Sequence, residues 1–212
     1  MKSAQDQYIT DFSQGQDAVL DWLEKQTHLR TNHGRMLCGP VVGKLLEMIS
    51  RMIAPDSILE LGAFTGYSSI CLARGLKEGG NLHSIEINDE LEDLILEAHA
   101  KAGLKDKITL HLGDASQIIK SLDKMFDLVF IDANKREYCQ YYEMVFDYVK
   151  PGGYILADNV IWDGKVYANP LPSDAQTQGI YNFNKMIKED PRVENVIIPL
   201  RDGLNLIRKK SL

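Results

Sequence analysis

Short apolar runs alternate with longer stretches of helical periodicity from residue 57 to residue 158. The runs are rich in β-branched and aromatic residues, which is typical of strands that are buried on both faces of a parallel sheet. Alternation of such strands with helices over short links predicts a doubly wound α/β fold, mainly parallel, with helices on both faces. The predicted strands are 57–61, 81–87, 107–112, 126–132 and 153–158, and the helices between them are 67–76, 89–102, 115–122 and 136–149.

The two ends of the chain depart from this alternation. Residues 1–54 form a predicted helical N-terminal region, with a broad apolar face over 45–53. Near the other end, a predicted helix at 179–188 precedes two β-rich runs that are separated by Asp202-Gly203. An Asp-Gly pair in this context predicts a tight hairpin, so the last strand should run antiparallel to its neighbour. With no repeat and no evident linker, we expect one domain over 1–212.

Composition narrows the functional classes. The chain has 212 residues, of which 44% are hydrophobic and 25% charged, an ordinary balance for one well-packed α/β domain. The net charge of -6 argues against broad nucleic-acid binding, which favours a basic face. No apolar run approaches the roughly 20 residues of a membrane span, and the first residues lack the apolar core of a signal peptide. We therefore expect a cytoplasmic protein without a nucleic-acid or membrane partner.

The three cysteines are widely separated and form no Cys-x-x-Cys pair. Cys38, Cys71 and Cys139 are therefore expected to be reduced thiols, as in cytoplasmic proteins.

Two of the predicted strands end in carboxylates. The run over 126–132 ends in Asp132, and the run over 153–158 ends in Asp158, which Asn159 follows. If the two strands are neighbours, these side chains meet at the edge of the sheet where α/β proteins bind ligands. Three hard oxygen donors at one place indicate a divalent cation. The structural alternative is that such residues only cap helices or close turns.

A glycine-containing turn links the first strand to the next helix. Gly62 would let the backbone approach a ligand, and Gly66 would ease entry into the helix. The spacing differs from the G-x-G-x-x-G pattern of a dinucleotide site, and a glycine here is as often purely structural. Glu86, at the tip of the second strand, stands where a carboxylate grips a nucleoside ribose. Residues 113–116, after the third strand, would suit an adenine contact through a backbone N–H and a small side chain. Asp114 would equally suit a cap for the next helix, and the two roles are compatible.

Together these motifs resemble a known family, the cation-dependent class I O-methyltransferases that include the caffeoyl-CoA and catechol enzymes. The resemblance extends from about Met36 to the final hairpin, and its strongest part is Asp132 and Lys135 followed by Asp158-Asn159. One departure is Asn134, where many members have Asp. The motifs that carry the resemblance are 60–68 (ELGAFTGYS), 84–86 (SIE), 113–115 (GDA), 130–135 (FIDANK) and 158–162 (DNVIW).

The resemblance implies a Rossmann-like methyltransferase fold that binds S-adenosylmethionine (SAM), a divalent cation and a small aromatic acceptor, and that forms a homodimer. Mg²⁺ is the expected cation, with Mn²⁺ or Ca²⁺ as alternatives. Lys135 would be the general base, acting beside Asp132. The resemblance implies these further roles: cofactor binding by Cys38, Glu60, Gly62, Ser68, Glu86, Ala115, Asp132 and Asn134, metal ligation by Asp132, Asp158 and Asn159, and substrate contact by Trp162 and Asp163.

The chemistry expected of this site is transfer of a methyl group to a phenol oxygen. A phenol has a pKa of about 10, so a nearby cation would favour the phenolate, and vicinal hydroxyls would suit an octahedral ion. The cation and the sulfonium should lower the pKa of Lys135; its bland alternative is a solvated lysine at a helix start. Two other functions stay open here, a nicotinamide-dependent oxidoreductase and a noncatalytic SAM-binding protein.

Overall fold

The computed structural model describes residues 4–211. Within them, seven strands form one sheet in the order β3-β2-β1-β4-β5-β7-β6. The strands are β1 Ser57–Leu61, β2 Asn81–Glu86, β3 Ile108–Leu112, β4 Phe126–Ile131, β5 Val149–Asp158, β6 Val193–Ile198 and β7 Leu204–Lys209. The helices are α1 Ala4–Phe12, α2 Ala18–Arg30, α3 Gly39–Ile53, α4 Tyr67–Ala73, α5 Glu92–Lys101, α6 Ala115–Leu122, α7 Tyr138–Phe146 and α8 Ala175–Glu189.

The sheet confirms the predicted mainly parallel fold and its antiparallel C-terminal hairpin. Strands β1 to β5 pair in parallel, and β7 pairs antiparallel with both β5 and β6. The chain first builds β1, β2 and β3 outward in one direction and then returns to place β4 on the other side of β1. The strand order therefore reverses between β1 and β4, and such a reversal opens a crevice at the carboxyl ends of the strands.

The bounds predicted for α7 were wrong at both ends. The helix predicted over 136–149 begins with a 3₁₀ turn at Lys135–Glu137 and ends at Phe146, and Val149 already belongs to β5. Val149 pairs with Phe126 on the neighbouring strand and is completely buried. Its apolar side chain fits the helical periodicity of the sequence, but strand pairing places it in β5. The aromatic stripe of α7 is core, as predicted, with Tyr138 and Tyr142 buried against α8.

The N-terminal region is helical, as predicted, but its apolar face is narrower than the sequence pattern indicated. Leu46 and Ile49 of α3 are buried, whereas Met48 and Met52 are 54% and 74% exposed. A helix packed on one neighbour buries only one stripe, and these two methionines lie outside it. No helix in the described part of the chain is both long and apolar enough to cross a bilayer.

Two local signals read from the sequence hold in the structure, and a third, the tight hairpin turn at Asp202-Gly203, was wrong. All three cysteines are free, and Cys38 and Cys71 are buried. Asp114 caps α6, since its carboxylate accepts a hydrogen bond of 2.7 Å from the backbone N–H of Ser116. The hairpin loop between β6 and β7 covers 199–203, which is longer than the two-residue turn that Asp-Gly favours.

Candidate active site

The two acidic strand ends lie side by side. Strands β4 and β5 are parallel neighbours, and Ile131 pairs with Ala157, so Asp132 and Asp158 follow at matching positions. Asp158 is only 5% exposed, and one of its carboxylate oxygens accepts a hydrogen bond of 2.8 Å from the backbone N–H of Asn159. The sheet therefore has the arrangement that the sequence predicted for these two strands.

A cleft of about 1290 Å³ opens at this edge of the sheet. Most of the predicted site residues line it, and three do not: Glu60, Ser68 and Asp163 are absent from its wall. The predicted residues that line the cleft are Cys38, Gly62, Glu86, Ala115, Asp132, Asn134, Lys135, Asp158, Asn159 and Trp162.

The glycine turn after β1 packs directly on the backbone at Asp132. Gly62 has a φ of +94°, and a Cβ atom there would lie 2.3 Å from the carbonyl oxygen of Asp132. The backbone N–H of Gly62 donates a 3.0 Å hydrogen bond to the carbonyl of Ile85 at the end of β2. Only glycine fits this position, because it accepts the left-handed conformation and has no side chain.

Glu86 organises the same turn from the tip of β2. Its carboxylate accepts hydrogen bonds from the backbone N–H of Phe64 (2.7 Å) and of Asn88 (2.9 Å). The side chain is mostly buried yet lines the cleft. A carboxylate can accept about four hydrogen bonds, so capacity remains for hydroxyl donors of a ligand.

Glu60 and Ser68 lie behind the glycine turn. Glu60 is 0% exposed, and its carboxylate accepts hydrogen bonds from the hydroxyls of Ser68 (2.6 Å), Ser84 (2.5 Å) and Ser69. Burial raises the pKa of Glu60 to about 7, and the serine hydroxyls oppose that rise. In this structure the two side chains bind each other, so direct cofactor contact by them stays a prediction.

Lys135 projects into the cleft from the 3₁₀ turn that follows β4. Its Nζ donates hydrogen bonds to Oδ1 of Asp132 (2.5 Å) and to the hydroxyl of Tyr138 (2.8 Å). Burial disfavours the ammonium, but Asp132 and Tyr138 outweigh it and hold the pKa of Lys135 above its usual value. The predicted lowering depended on a cation and a sulfonium; the protein's own groups act in the opposite direction.

Helix α8 supports the turn that carries Lys135. A Cβ atom at Gly179 would lie 2.4 Å from the carbonyl oxygen of Lys135, so the two backbones touch. From the other side, the Tyr138 hydroxyl donates a 2.9 Å hydrogen bond to the carbonyl of Asp158. The lysine is therefore held by a close backbone contact and by a tyrosine that also reaches β5.

The negative charges of Asp132 and Asp158 repel each other, which favours binding of a cation between them. Burial first, and then the charge of Asp132, raise the pKa of Asp158 above its usual value. The described residues hold no cluster of three or more His, Cys, Asp or Glu side chains placed for a metal. The trio here has two carboxylates and the amide of Asn159, all oxygen donors of the kind that Mg²⁺ and Ca²⁺ prefer.

The outer wall of the cleft contains residues that are not among the predicted site residues. Arg201 and Asp202 come from the hairpin loop, and Tyr141 comes from α7. The Asp-Gly pair predicted a turn at this loop, but it did not predict that the loop would extend to the cleft. The residues that the loop contacts in the fold are far from it in sequence. The N-terminal part of the wall is formed by Arg30, Thr31, Asn32, His33, Arg35, Met36 and Leu37.

The fold and the cleft define a class I methyltransferase, with a crevice at the strand-order reversal, a glycine turn and a mostly buried carboxylate, Glu86, at the tip of β2. The chain belongs to the O-methyltransferase family, whose sequence profile matches residues 10–210. It is therefore a SAM-dependent O-methyltransferase, which argues against the nicotinamide and noncatalytic alternatives.

Individual relatives agree with this assignment. The chain is 35% identical over 182 residues to caffeoyl-CoA O-methyltransferase 1 of Eucalyptus globulus, covering 80% of this chain and 73% of that protein. An O-methyltransferase from Bacillus cereus in complex with SAH superposes with a TM-score of 0.89 at 29% identity, over 98% of both chains. The O-methyltransferase TomG from Streptomyces achromogenes, in complex with SAM, gives 0.89 at 29%, over 98% of this chain and 96% of the other.

Proposed function

We propose that this enzyme transfers the methyl group of SAM to one hydroxyl of a small vicinal dihydroxy aromatic acceptor, in a reaction that depends on a divalent cation. The observation that carries the proposal is the convergence of Asp132, Asp158, Asn159 and Lys135 in one cleft at the ends of β4 and β5. The plant relatives are named for caffeoyl-CoA, whose caffeoyl group carries two adjacent phenol hydroxyls.

Asp132, Asp158 and Asn159 would hold the cation, and the raised pKa of Asp158 supports this assignment. A second positive charge beside two crowded carboxylates relieves their repulsion. Mg²⁺ is the cation we favour, with Mn²⁺ and Ca²⁺ as alternatives. When bound, such an ion supplies positive charge that lowers the pKa of a phenol oxygen.

Lys135 would accept the phenol proton at Nζ in its neutral form, because only the neutral amine has a lone pair. The positive charges of the cation and of the SAM sulfonium, when both are bound, would favour that form against the opposite effect of Asp132 and Tyr138. Its contacts with Asp132 and Tyr138 fix the position of that nitrogen at the mouth of the carboxylate pair. Positioned proton transfer of this kind contributes roughly 10²- to 10⁴-fold to a rate. The buried turn that carries the lysine excludes most alternative rotamers, so the nitrogen needs little reorganisation.

The cofactor would lie between the glycine turn and the N-terminal wall. Glu86 would accept the ribose hydroxyls, and the backbone at Gly62 would lie against the methionine part, with Cys38 opposite. Ala115 would contact the adenine at the start of α6. Asn134 would be a weaker contact, since its amide already donates to Glu137 at 2.9 Å.

The acceptor would bind beside the Trp162 side chain. Trp162 lines the cleft with a φ of +50°, and its indole N–H is buried without a protein acceptor. Asp163, next to it, is exposed and outside the cleft wall, so its contact with substrate is the least supported assignment.

Turnover of a panel of catechols and of matched monophenols tests the proposal. Purified enzyme is assayed with SAM and Mg²⁺, and again after treatment with EDTA and dialysis. We expect catechol turnover that EDTA abolishes and that Mg²⁺ or Mn²⁺ restores. Activity that is insensitive to EDTA would overturn the cation requirement, and equal turnover of monophenols would overturn the acceptor class.

We also propose that the enzyme is a homodimer of single-domain subunits in the cytoplasm. The homodimer is supported by the exposed aromatic side chains of Tyr8 and Phe12 on α1, which offer apolar surface to a second copy. The single domain is supported by residues of the 1–54 region, which line the same cleft as the sheet. The cytoplasmic location is supported by the free thiols. Light scattering coupled to size exclusion measures the oligomeric state, and a monomer at micromolar concentration would exclude the dimer.

A further inference from the structure

The loop between β6 and β7 contacts two separate walls of the cleft. On one side, Nη1 of Arg201 donates hydrogen bonds to the carbonyl oxygens of Leu37 (3.0 Å) and Cys38. On the other side, a carboxylate oxygen of Asp202 accepts a hydrogen bond from the backbone N–H of Asp163. Two consecutive residues thus reach the N-terminal wall and the segment after β5.

The contact of Arg201 falls where the N-terminal wall turns into α3. Gly39, the first residue of α3, has a φ of +75°, and a Cβ atom there would lie 2.7 Å from Nη1 of Arg201. The glycine therefore leaves the space that the guanidinium occupies. Cys38 has no side-chain capping role at this helix start, so the arginine supplies the tertiary contact for its carbonyl.

The contact of Asp202 supports an unfavourable backbone. Trp162 and Asp163 have φ values of +50° and +51°, a left-handed conformation that is unfavourable for residues other than glycine. The carbonyl of Asp202 also accepts a 2.8 Å hydrogen bond from Ile161, and that of Gly203 accepts one of 3.1 Å from Val160. The hairpin loop therefore holds the whole segment 160–163 in place.

We propose that Arg201 and Asp202 are positioning residues of this methyltransferase. Arg201 holds Cys38 and its neighbours where we place SAM, and Asp202 holds segment 160–163, which contains Trp162 and directly follows Asn159. The roles of Cys38, Asn159 and Trp162 rest on the proposed function; the two contacts themselves do not. The hairpin thereby sets the position of the N-terminal wall, where we place the cofactor, relative to segment 160–163, where we place the acceptor.

The chemistry of the contacts predicts how substitutions act. A guanidinium that donates to two carbonyls makes charge-assisted bonds, which are worth more than neutral ones. Arg201→Ala frees the segment around 37–40, so SAH must order it again on binding. Arg201→Lys keeps the charge but loses the planar geometry that allows both contacts. Asp202→Asn keeps a carbonyl acceptor for the N–H of Asp163, whereas Asp202→Ala removes it.

The test combines SAH titration calorimetry with amide hydrogen exchange on the full-length protein. We expect Arg201→Ala to weaken SAH binding about tenfold and to speed exchange around 37–42 without affecting 160–164. Asp202→Ala should speed exchange at 160–164 and leave SAH affinity within twofold, and Asp202→Asn should restore protection there. The matched control is Arg208→Ala, which removes an arginine of β7 from an exposed pair with Glu194.

Two results would overturn the inference. One is wild-type SAH affinity and wild-type exchange in Arg201→Ala. The other is uniformly faster exchange across the sheet in both alanine variants, which would indicate only general destabilisation. If Arg201→Ala does not fold, Arg201→Lys decides, with about threefold weaker SAH binding expected and unchanged binding contradictory. These readouts require no acceptor and no cation, so a failed EDTA test leaves them interpretable.

Discussion

Nζ of Lys135 lies 2.5 Å from Oδ1 of Asp132 in the active-site cleft. One residue is the proposed base and the other a proposed cation ligand, so the same carboxylate serves both. Lys135 lies only three positions after Asp132, because a 3₁₀ turn begins at Lys135 after the short link 132–134 and folds the lysine back over the end of β4. The proposed base and the proposed cation ligand are therefore already in contact in this structure.

Replacing Lys135 separates catalysis from binding. We expect Lys135→Met to lower kcat by roughly 10²-fold or more, because a positioned base is lost, while SAH affinity stays within about twofold. Steady-state kinetics with a catechol and calorimetry with SAH measure the two quantities. Lys105→Ala, an exposed lysine away from the cleft, is the control. A variant with unchanged kcat would exclude Lys135 as the base.

Replacing Glu86 should have the opposite profile. Glu86→Ala removes the proposed ribose acceptor and the two hydrogen bonds that shape the glycine turn. We expect SAH affinity to fall at least tenfold, as loss of a charged hydrogen-bonding partner does. Fluorescence or calorimetric titration measures it, with the exposed Glu78→Ala as control. Equal SAH affinity in Glu86→Ala and Glu78→Ala would contradict the assignment of Glu86 as the ribose acceptor.

A methyl group at Gly179 should disturb Lys135 from behind. In Gly179→Ala the new Cβ would collide with the carbonyl of Lys135, so α8 or the 3₁₀ turn must shift. We expect a loss of about 1–3 kcal/mol in unfolding free energy, typical of overpacking, together with lower kcat. Denaturant melts and kinetics test this. Gly15→Ala is the control, because nothing lies within 4 Å of a Cβ there. Wild-type stability in Gly179→Ala would show that the backbones are not in contact.

The buried His99 should make stability fall in mild acid. Burial lowers its pKa from 6.5 to about 4, so between these values the folded state binds fewer protons than the unfolded state. Stability is therefore fully present above pH 6.5 and is lost as the pH falls towards 4. We expect His99→Leu to reduce the loss between pH 7 and pH 4.5 by about 2 kcal/mol in urea melts.

The exposed His28→Gln is the matched control and should leave the pH dependence unchanged. An identical pH dependence in wild type and His99→Leu would show that His99 does not carry the effect. His83 also has its pKa lowered to about 4, by burial, then by Lys124 and His111, so part of the acid sensitivity will survive in the variant.

Several parts of the site were predictable because they depend on local patterns. Strand β1 and helix α6 have the predicted bounds, since apolar runs and a capping Asp114 are local signals. The glycine at 62 was predicted from the turn it occupies, and its φ of +94° agrees. By contrast, Glu60 was predicted to face the cofactor, and its position behind the turn depends on Ser69 and Ser84, which reach it only through the packing of α4 and β2.

The sequence by itself determined which segments are strands and helices, and it placed Asp132 and Asp158 at strand ends, because hydrophobic periodicity and burial act over a few residues. Only the tertiary structure decided that β7 lies between β5 and β6, and that Arg201 reaches the carbonyls of Leu37 and Cys38. Strand order and such contacts depend on how separate segments pack together. Residues more than 160 positions apart share no local pattern that would record their contact.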